Sequence, residues 1–413
     1  MGARRGGAGK TKRVGCRVDS GIAMDVISSI GSAGGSVGGY VIPFLFVLTV
    51  VVFFHELGHF AVARWAGVKV ETFSIGFGHE LIGWTDKKGT RWKIGWLPLG
   101  GYVKFFGDEN PASTPDRAKL DQLEDEDRAV SFHYKPLPHR AAVVAAGPVA
   151  NFILAIVIFA GLFTIVGQPV TAPTADQVQP DSPAAAAGFK PGDLVLAIDG
   201  TRIETFADMQ RIVSINGGEE LAFLVERAGT QLTLHATPQV EEVEDRFGNI
   251  HRIGRLGIIR DVGEGAVKVV RANPVVALWL GAQETWFIIE RTMGYLWGII
   301  AGREDASQLG GFLRIGQVSG QVATLGFAAL LNITAILSVS IGLLNLFPVP
   351  MLDGGHLLYY GIEGVRGRPL NVRAQEYGFR IGLALVMMLM IFATWNDLVH
   401  LRVFEFLGDL LFS

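Results

Sequence analysis

The chain has 413 residues, of which 49% are hydrophobic and 18% are charged, and its mean hydropathy is +0.36. This balance is unusual for a soluble globular protein and predicts several membrane spans with some soluble mass. The formal net charge is −3, so no nucleic-acid partner is indicated. The single cysteine, Cys16, excludes an intramolecular disulfide and a cysteine-rich zinc site, so any metal must be held by His, Asp or Glu.

Residues 1–37 form an N-terminal extension that we expect to be disordered or wrongly assigned as coding sequence. Its first 23 residues are rich in glycine and basic side chains and have no apolar face, and Met24 is an alternative start. No apolar stretch is followed by a small-residue cleavage site, so a signal peptide is not predicted. The first predicted membrane span lies within residues 38–66 and runs from Val41 to about Ala63.

The first span contains the sequence His-Glu-Leu-Gly-His at residues 55–59. On a helix, His55 and His59 lie one turn apart on one face, so their imidazoles can share a metal ion. Zinc suits such a site because it accepts neutral imidazole and leaves a position open for water, from which Glu56 could take a proton. Ionisable residues in an apolar span are costly unless they pair or bind something, which favours a metal site over a chance match.

Residues 67–140 are predicted to form a membrane-associated β region followed by a cytoplasmic loop. Val70 to Phe106 contains short β-rich runs separated by turn residues, and its Trp and Tyr residues are typical of a membrane interface. Residues 141–167 form the second predicted span. Within it, Asn151 is either a hydrogen-bonding residue between helices or an incidental polar residue of the bundle.

Residues 168–240 return to a soluble composition. The pattern Ser-Pro-Ala…Ala-Gly-Phe-x-Pro-Gly-Asp…Ile-Asp-Gly, between Ser182 and Gly200, resembles a PDZ domain of the bacterial protease type. Such domains usually bind an extended peptide along a sheet edge, so the resemblance implies a peptide ligand. The alternative is a small α/β insert without a ligand.

Residues 241–314 are predicted to contain linker strands and an interfacial helix. The helix, Pro274 to Ile300, is apolar and rich in Trp but carries three charged residues, which favours a position at the membrane interface over a crossing. These residues are Glu284, Glu290 and Arg291.

Residues 315–355 contain the third predicted span, from about Val322 to Leu346. Residues 356–413 contain a shorter fourth span, Ile381 to Trp395, and a C-terminal amphipathic segment.

Asp353 follows the long uncharged run of the third span. Pro348 and Pro350 are expected to end or kink that helix and to turn the carboxylate inward. We predict that Asp353 is the third ligand of a two-histidine zinc site, which leaves the open position that hydrolysis needs. His356 is the alternative third ligand.

The order of the spans provides a topology test of this site. If only one span returns the chain between the first and third spans, His59 and Asp353 lie on the same side of the membrane. Basic residues follow both of these spans, which predicts that this side is cytoplasmic and that the PDZ-like domain is periplasmic. The predicted fold is therefore a polytopic α-helical protein of the bacterial inner membrane, with about four transmembrane helices, a membrane-associated β-hairpin region and one PDZ-like α/β domain.

Five motifs together resemble those of the bacterial site-2 proteases of the sigma-E regulator type. They are His-Glu-Leu-Gly-His, Phe-Ser-Ile-Gly-Phe-Gly, Leu-Gly-Gly-Tyr-Val-Lys, Gly-Pro-x-x-Asn-Phe and Asn-Leu-x-Pro-x-Pro-x-Leu-Asp-Gly-Gly-His. The resemblance implies an intramembrane zinc metalloprotease with His55, His59 and Asp353 as ligands and Glu56 as base. It also implies that Asn345 helps to hold the substrate or transition state and that residues 70–106 receive the substrate. We predict that Pro348, Pro350 and Asn151 contribute to the same support.

The resemblance further implies a substrate, a single-span anti-sigma factor that another protease has already shortened. The best-known relatives of this type carry two tandem PDZ domains, whereas this sequence shows one. Two other functions stay open at this point. One is a non-catalytic membrane adaptor with a structural zinc ion, which would bind metal but cleave nothing. The other is an enzyme that trims remnant signal peptides.

Overall fold

The computed structural model describes residues 20–108, 123–244, 250–260, 268–303, 306 and 309–400. The helices, in chain order, are α1 (Ser20–Trp65), α2 (Asp125–Val130), a 3-10 turn (Phe132–Tyr134), α3 (Leu137–Ile165), α4 (Pro183–Ala186), α5 (Phe206–Ile215), α6 (Pro274–Ile300), α7 (Phe312–Ala323), α8 (Phe327–Asn345), α9 (Asp353–Arg366) and α10 (Val372–His400). The strands are β1 (Val70–Thr85), β2 (Arg91–Phe105), β3 (Gln168–Val170), β4 (Gln177–Val178), β5 (Leu194–Ile198), β6 (Thr201–Arg202), β7 (Leu221–Arg227), β8 (Thr230–Ala236), β9 (Gln239–Glu244), β10 (Ile250–Arg255), β11 (Ile258–Ile259) and β12 (Lys268–Val270).

Four helices in the described part of the chain are long and apolar enough to cross a membrane. Their crossing segments are Gly38–Trp65 in α1, Leu137–Ile165 in α3, Phe327–Asn345 in α8 and Arg373–Val399 in α10. We call them the first to fourth spans. This result confirms the prediction of about four transmembrane helices.

The first helix begins earlier than the sequence indicated. The chain is helical from Ser20, whereas residues 1–37 were predicted to be disordered or wrongly assigned. A formed helix is extended at low cost, because each added residue gains one backbone hydrogen bond, so the apolar span can carry the helix upstream. Residues 1–19, and most of the predicted amphipathic segment at the C-terminus, lie outside the described residues.

The predicted third span is divided into two helices. Gly326 adopts a φ of +107°, a conformation that favours glycine, and it separates α7 from α8. The third span therefore begins at Phe327 and not near Val322. Helix α7 instead packs against the start of the first span, where Gly320 touches Tyr40.

The two long strands β1 and β2 form a folded sheet beside the first span. Residues 72–75 of β1 pair with residues 91–94 on one side and with residues 101–104 on the other, and residues 82–85 pair again with residues 91–94. Residues 101–104 therefore lie at an edge of this sheet. Its inner side packs Phe73 against Phe53, Phe60 and Trp92. Its insertion into the membrane stays a prediction.

The soluble segment between the second and third spans folds as a small α/β domain. Its main sheet has the strand order β6-β5-β7-β8. Helix α5 starts with a capping box, in which Thr205 and Asp208 exchange hydrogen bonds. Leu256 and Ile258 belong to the same hydrophobic core, although they follow residue 240, the predicted end of this domain.

Helix α6 packs between the small domain and the spans. Gly281 allows close contact with the second span, at the backbone of Ile156 and Ala160. On the other side, Glu284 forms an ion pair with Arg211 of α5, and Arg252 of β10 donates to the carbonyl oxygen of Arg303, just beyond the helix. A helix that touches the same soluble domain near its middle and its end runs along that domain, as the predicted interfacial helix would.

The fourth span contacts the rest of the protein near both of its ends. Gly382 lies against the carbonyl oxygen of Pro350. Near the other end, Asp397 accepts hydrogen bonds from the backbone N–H groups of Gly311, Leu313 and Arg314 at 2.8, 3.1 and 3.1 Å. A side chain of the last span thereby caps the start of α7.

Candidate metal centre

Two imidazoles of the first span and one distant carboxylate meet at one point. The Nε2 atoms of His55 and His59 lie 3.2 Å apart, and Asp353 Oδ2 lies 3.2 and 3.5 Å from them. Two ligands at about 2.0–2.1 Å from a tetrahedral zinc ion lie about 3.3 Å apart. The three ligand atoms therefore have the spacing of one zinc coordination shell. They are the one such group of three found in the described part of the chain.

The carboxylate of Asp353 has an unsatisfied oxygen at this point. Its Oδ2 atom is buried and receives no hydrogen bond. A buried charged oxygen without a partner costs several kcal/mol, and a cation between the three ligand atoms would satisfy it. The donor set of two imidazoles and one carboxylate is one that zinc accepts, with a fourth position open.

The second span orients both imidazoles through one stripe of its surface. His59 Nδ1 donates to the carbonyl oxygen of Val143 at 2.9 Å. That hydrogen bond places the proton on Nδ1 and leaves the lone pair of Nε2 for a metal. Four residues along the helix, Gly147 faces the two rings, because a Cβ there would lie 2.6 Å from His59 Cε1 and 2.9 Å from His55 Cε1.

Asn151 lies a further turn along this stripe and meets the other imidazole. Its side-chain nitrogen is 3.3 Å from His55 Nδ1, while its Oδ1 atom is buried without a partner. Rotating the Asn151 side-chain amide by 180° would exchange its nitrogen and oxygen atoms, so that Asn151 Oδ1 accepts a hydrogen bond from His55 Nδ1–H. This arrangement leaves His55 Nε2 free to bind a metal. The backbone of Asn151 also accepts from Ser338 Oγ at 2.8 Å, which links the second and third spans at the site.

Glu56 lies beside the two histidines, at the point where β2 passes the first span. A Cβ at Gly101 would lie 2.9 Å from Glu56 Cγ, 2.9 Å from Val52 Cγ1 and 2.9 Å from the carbonyl oxygen of Ser74. The edge of the sheet can therefore approach the Glu56 side chain this closely only because residue 101 has no side chain.

The loop after the third span presents Asp353 to the site. Helix α8 ends at Asn345, and α9 begins at Asp353, so the helix stops before Pro348 and Pro350, as expected. Gly354 and Gly355 follow the carboxylate at the positions where α9 touches this loop. A Cβ on either residue would clash with backbone carbonyl oxygens, those of Leu346 and Phe347 at Gly354 and that of Val349 at Gly355.

His356, the alternative third ligand, does not belong to the cluster of ligand atoms. The structure brings His55, His59 and Asp353 together, with Asn151 touching His55. Asn345 is the last residue of α8, and Pro348 and Pro350 lie on the loop that carries Asp353. The contact of these residues with a substrate stays a prediction.

Sequence reasoning missed the contributions of Val143, Gly147 and Gly101. The first two could have been found, because Val143, Gly147 and Asn151 recur every four residues and so share one face of the second span. The place of Gly101 beside Glu56 depends on the sheet pairing, for which the sequence has no local signal.

The chain matches a family model described as Peptidase family M50 over residues 43–389. This chain belongs to peptidase family M50. The match covers more than three quarters of the sequence and includes the three predicted ligand residues and Glu56. It confirms the predicted resemblance to site-2 proteases and the predicted enzyme class, a metallopeptidase.

Relatives in the M50 family support the same assignment. A protein from Agrobacterium fabrum that carries the name of a zinc metalloprotease is 50% identical over 375 residues, which cover 91% of this chain and 100% of that protein. The metalloprotease MmpA of Caulobacter vibrioides is 43% identical over 391 residues, with 89% and 98% covered. The family and these names agree with the predicted cofactor, zinc.

One solved structure is similar to a part of this M50 protein. The PDZ domain of an SdrC-like protein from Listeria monocytogenes aligns with 21% of this chain and 84% of that domain, at 18% identity and a TM-score of 0.16. This similarity is too low to support an argument about the small domain, so its PDZ-like character continues to rest on the sequence pattern.

Proposed function

We propose that this M50 peptidase is an intramembrane zinc protease that cleaves a single-span membrane protein within the bilayer. The observation that carries the proposal is the meeting of three ligand atoms inside a membrane-spanning bundle. His55 and His59 lie within the first span, and Asp353 Oδ2 reaches both of them. Charged and polar groups at such a position are costly unless they pair with one another or bind a partner, so their presence there indicates a functional site.

His55, His59 and Asp353 are assigned as the residues that hold zinc. Bound there, zinc would act as a Lewis acid toward the scissile carbonyl group and would make a water molecule more acidic. The protein contributes the orientation of the ligands. Val143 fixes the tautomer of His59, Asn151 supports His55, and the absence of a side chain at Gly147 leaves room for both rings.

Glu56 is assigned as the general base. Its carboxylate takes a proton from the attacking water as the oxygen bonds to the carbonyl carbon, and it returns a proton to the amide nitrogen as the carbon–nitrogen bond breaks. The products are one new carboxyl terminus and one new amino terminus. Glu56 ends the cycle in its starting state and therefore acts catalytically.

The substrate is expected to reach the site in an extended form. A peptide bond within a helix is shielded by its own hydrogen bonds, so the substrate helix must unwind before water can attack. Residues 101–104 form a sheet edge beside Glu56, and an extended segment could add to this edge as a further strand. We assign three residues to support the substrate from the opposite side. They are Asn345, at the end of α8, and Pro348 and Pro350, on the loop that ends at Asp353.

The finer parts of the proposal concern orientation and substrate. Basic residues after the first and third spans favour a cytoplasmic position for the metal centre and a periplasmic position for the PDZ-like domain, in the bacterial inner membrane. The PDZ-like domain would bind a peptide or exclude large outer domains. The proposed substrate class is a shortened single-span protein of the anti-sigma-factor type, and remnant signal peptides are a second class.

The decisive experiment separates metal binding from cleavage. The Glu56→Gln variant, purified in lipid nanodiscs, should keep one zinc per chain and lose cleavage of a single-span reporter protein. The Asp353→Ala and His55→Ala variants should lose both. Glu290→Gln, on helix α6, is the matched control and should retain both. A Glu56→Gln variant that still cleaves would refute the assignment of the base, and unchanged zinc in Asp353→Ala would move the third ligand elsewhere.

The same experiment distinguishes a protease from a membrane adaptor. An adaptor with a structural zinc ion would bind one zinc per chain in the wild type and cleave neither the reporter nor a panel of other single-span proteins.

A further inference from the structure

An apolar groove runs along helix α9 on the outside of the metal centre. It has a volume of about 580 Å³, within the usual range for a ligand pocket. Its lining residues recur at helical spacing, so they form one face of α9 together with one residue of the preceding loop. They are Pro348, Gly354, Leu357, Leu358, Gly361, Ile362, Val365 and Arg366.

The opposite face of α9 is held by the protein. Glu363 forms an ion pair with Arg140 at the start of the second span, and the Arg140 guanidinium group lies over the ring of Tyr360, 4.9 Å from its centre. The grooved face is instead open. Val365 is 90% exposed, and a Cβ on Gly361 would meet no atom within 4 Å.

The groove runs from the loop that carries Asp353 to the end of α9. Its inner end at Gly354 adjoins Asp353, which lies among ligands of the first span, and its outer end is Arg366. A helix of 14 residues is about 21 Å long. One leaflet of the hydrocarbon core is about 15 Å thick, so a single acyl chain could follow α9 from the surface to the metal-ligand loop.

The outer end of the groove is strongly basic. Three arginines lie between residues 364 and 373, and that segment has no acidic residue. All three are exposed, and their guanidinium groups have no acidic partner within the described part of the chain. They are Arg366, Arg368 and Arg373. An apolar channel with a cationic mouth has the charge and shape that complement an anionic lipid.

We propose that this groove binds an anionic phospholipid, with one acyl chain along α9 and the phosphate group at Arg366 and Arg368. A bound chain would pack against Pro348 and Gly354, behind the loop that carries Asp353. The groove is distinct from the metal cluster, because its lining residues include none of His55, Glu56, His59 and Asp353. Pro348 is the one lining residue that is also assigned to support the substrate.

Photocrosslinking in nanodiscs tests this site directly. The full chain is reconstituted in phosphatidylcholine with a small amount of phosphatidylglycerol or phosphatidylcholine that carries a photoreactive group in one acyl chain. The anionic probe should label peptides of residues 354–366 at least fivefold more than the zwitterionic probe. Each arginine contributes about fivefold to the binding of an anionic lipid, so the Arg366→Gln/Arg368→Gln variant should remove this preference.

Two further variants test the groove itself. Gly361→Phe should fill the channel and reduce labelling by both probes at least fivefold. Gly161→Phe is its matched control, because a Cβ on Gly161 of the second span also meets no atom within 4 Å, and it should leave labelling of residues 354–366 unchanged. Arg291→Gln, an exposed arginine on α6, is the control for charge.

Two results would overturn the proposal. Equal labelling by the anionic and zwitterionic probes, unaffected by loss of Arg366 and Arg368, would show ordinary contact with bulk lipid. Labelling of the groove by a photoreactive single-span protein, in competition with the lipid probe, would instead identify the groove as a substrate path. Zinc content, measured for every variant, verifies that the metal centre is folded.

Discussion

Gly147 offers the sharpest test of the metal centre, because it lies against both imidazoles. A Cβ at this position would be 2.6 Å from His59 Cε1 and 2.9 Å from His55 Cε1. Carbon atoms in contact prefer at least about 3.5 Å, so the rings would have to move by about 0.9 and 0.6 Å. Metal–ligand distances tolerate only about 0.2 Å. The Gly147→Ala variant therefore cannot keep both imidazoles at their observed positions.

The expected result is a zinc affinity at least about 100-fold weaker than that of the wild type, which corresponds to about 2.7 kcal/mol. The assay is competition for zinc with a chromogenic chelator, using the purified full chain. Gly161→Ala is the matched control on the same helix, because it introduces the same methyl group into open space. Its zinc affinity should equal that of the wild type.

The thermal stability of the metal-free proteins separates a local effect from misfolding. Both variants replace a glycine inside a helix, which by itself favours the helix by up to about 1 kcal/mol, but displacing the two rings at Gly147 costs about 1–3 kcal/mol. The metal-free Gly147→Ala protein should therefore unfold at a somewhat lower temperature than the Gly161→Ala protein, in a single cooperative transition. Wild-type zinc affinity in Gly147→Ala would refute the packing argument and would place the metal ligands elsewhere.

Three further predictions concern other parts of the molecule. Gly101→Ala should displace Glu56, so that the cleavage rate falls at least about tenfold while zinc content stays at the wild-type level. Asp397→Ala should remove the side chain that caps the start of α7 and should destabilise the protein by about 2 kcal/mol in denaturant unfolding, and an unchanged midpoint would contradict this. In the small domain, burial raises the pKa of Asp193, but hydrogen bonds from Arg227 and from the Lys190 N–H outweigh it and hold the pKa below its usual value. Because the folded-state pKa is depressed, this stabilisation is present above pH 4 and is lost as the pH falls further. The circular dichroism of Asp193→Asn should therefore show a smaller loss of stability below about pH 4 than that of the wild type.

The sequence located the chemistry of the site because the relevant signals are local. His55 and His59 share a helix face through their spacing alone, and an uncharged run that ends at Asp353 marks the predicted third ligand without any knowledge of the fold. The long apolar runs predicted about four membrane spans for the same reason. The capping box at Thr205 and Asp208 is another pattern formed by residues close together in the chain.

Helix boundaries were less predictable, because they depend on competition between neighbouring segments. Hydropathy predicted a third span from about Val322, but Gly326 adopts a left-handed conformation and ends α7 there. Glycine-rich composition predicted disorder up to residue 37, but the helix of the first span continues upstream to Ser20. The first boundary depends on the backbone of one residue, and the second depends on the low cost of extending a helix that has already formed. Averaged hydrophobicity reports neither property.

By itself the sequence determined which residue types carry the chemistry, the number of spans and the presence of a small soluble domain. Only the tertiary structure decided that Asp353 meets His55 and His59. It also decided that Val143 and Asn151 orient the two imidazoles, and that a sheet edge passes Glu56 at Gly101. The physical reason is that spacing along a helix fixes which side chains share a face. Contact between segments that are far apart in the chain depends instead on how whole elements pack, and a single sequence has no periodicity that records it.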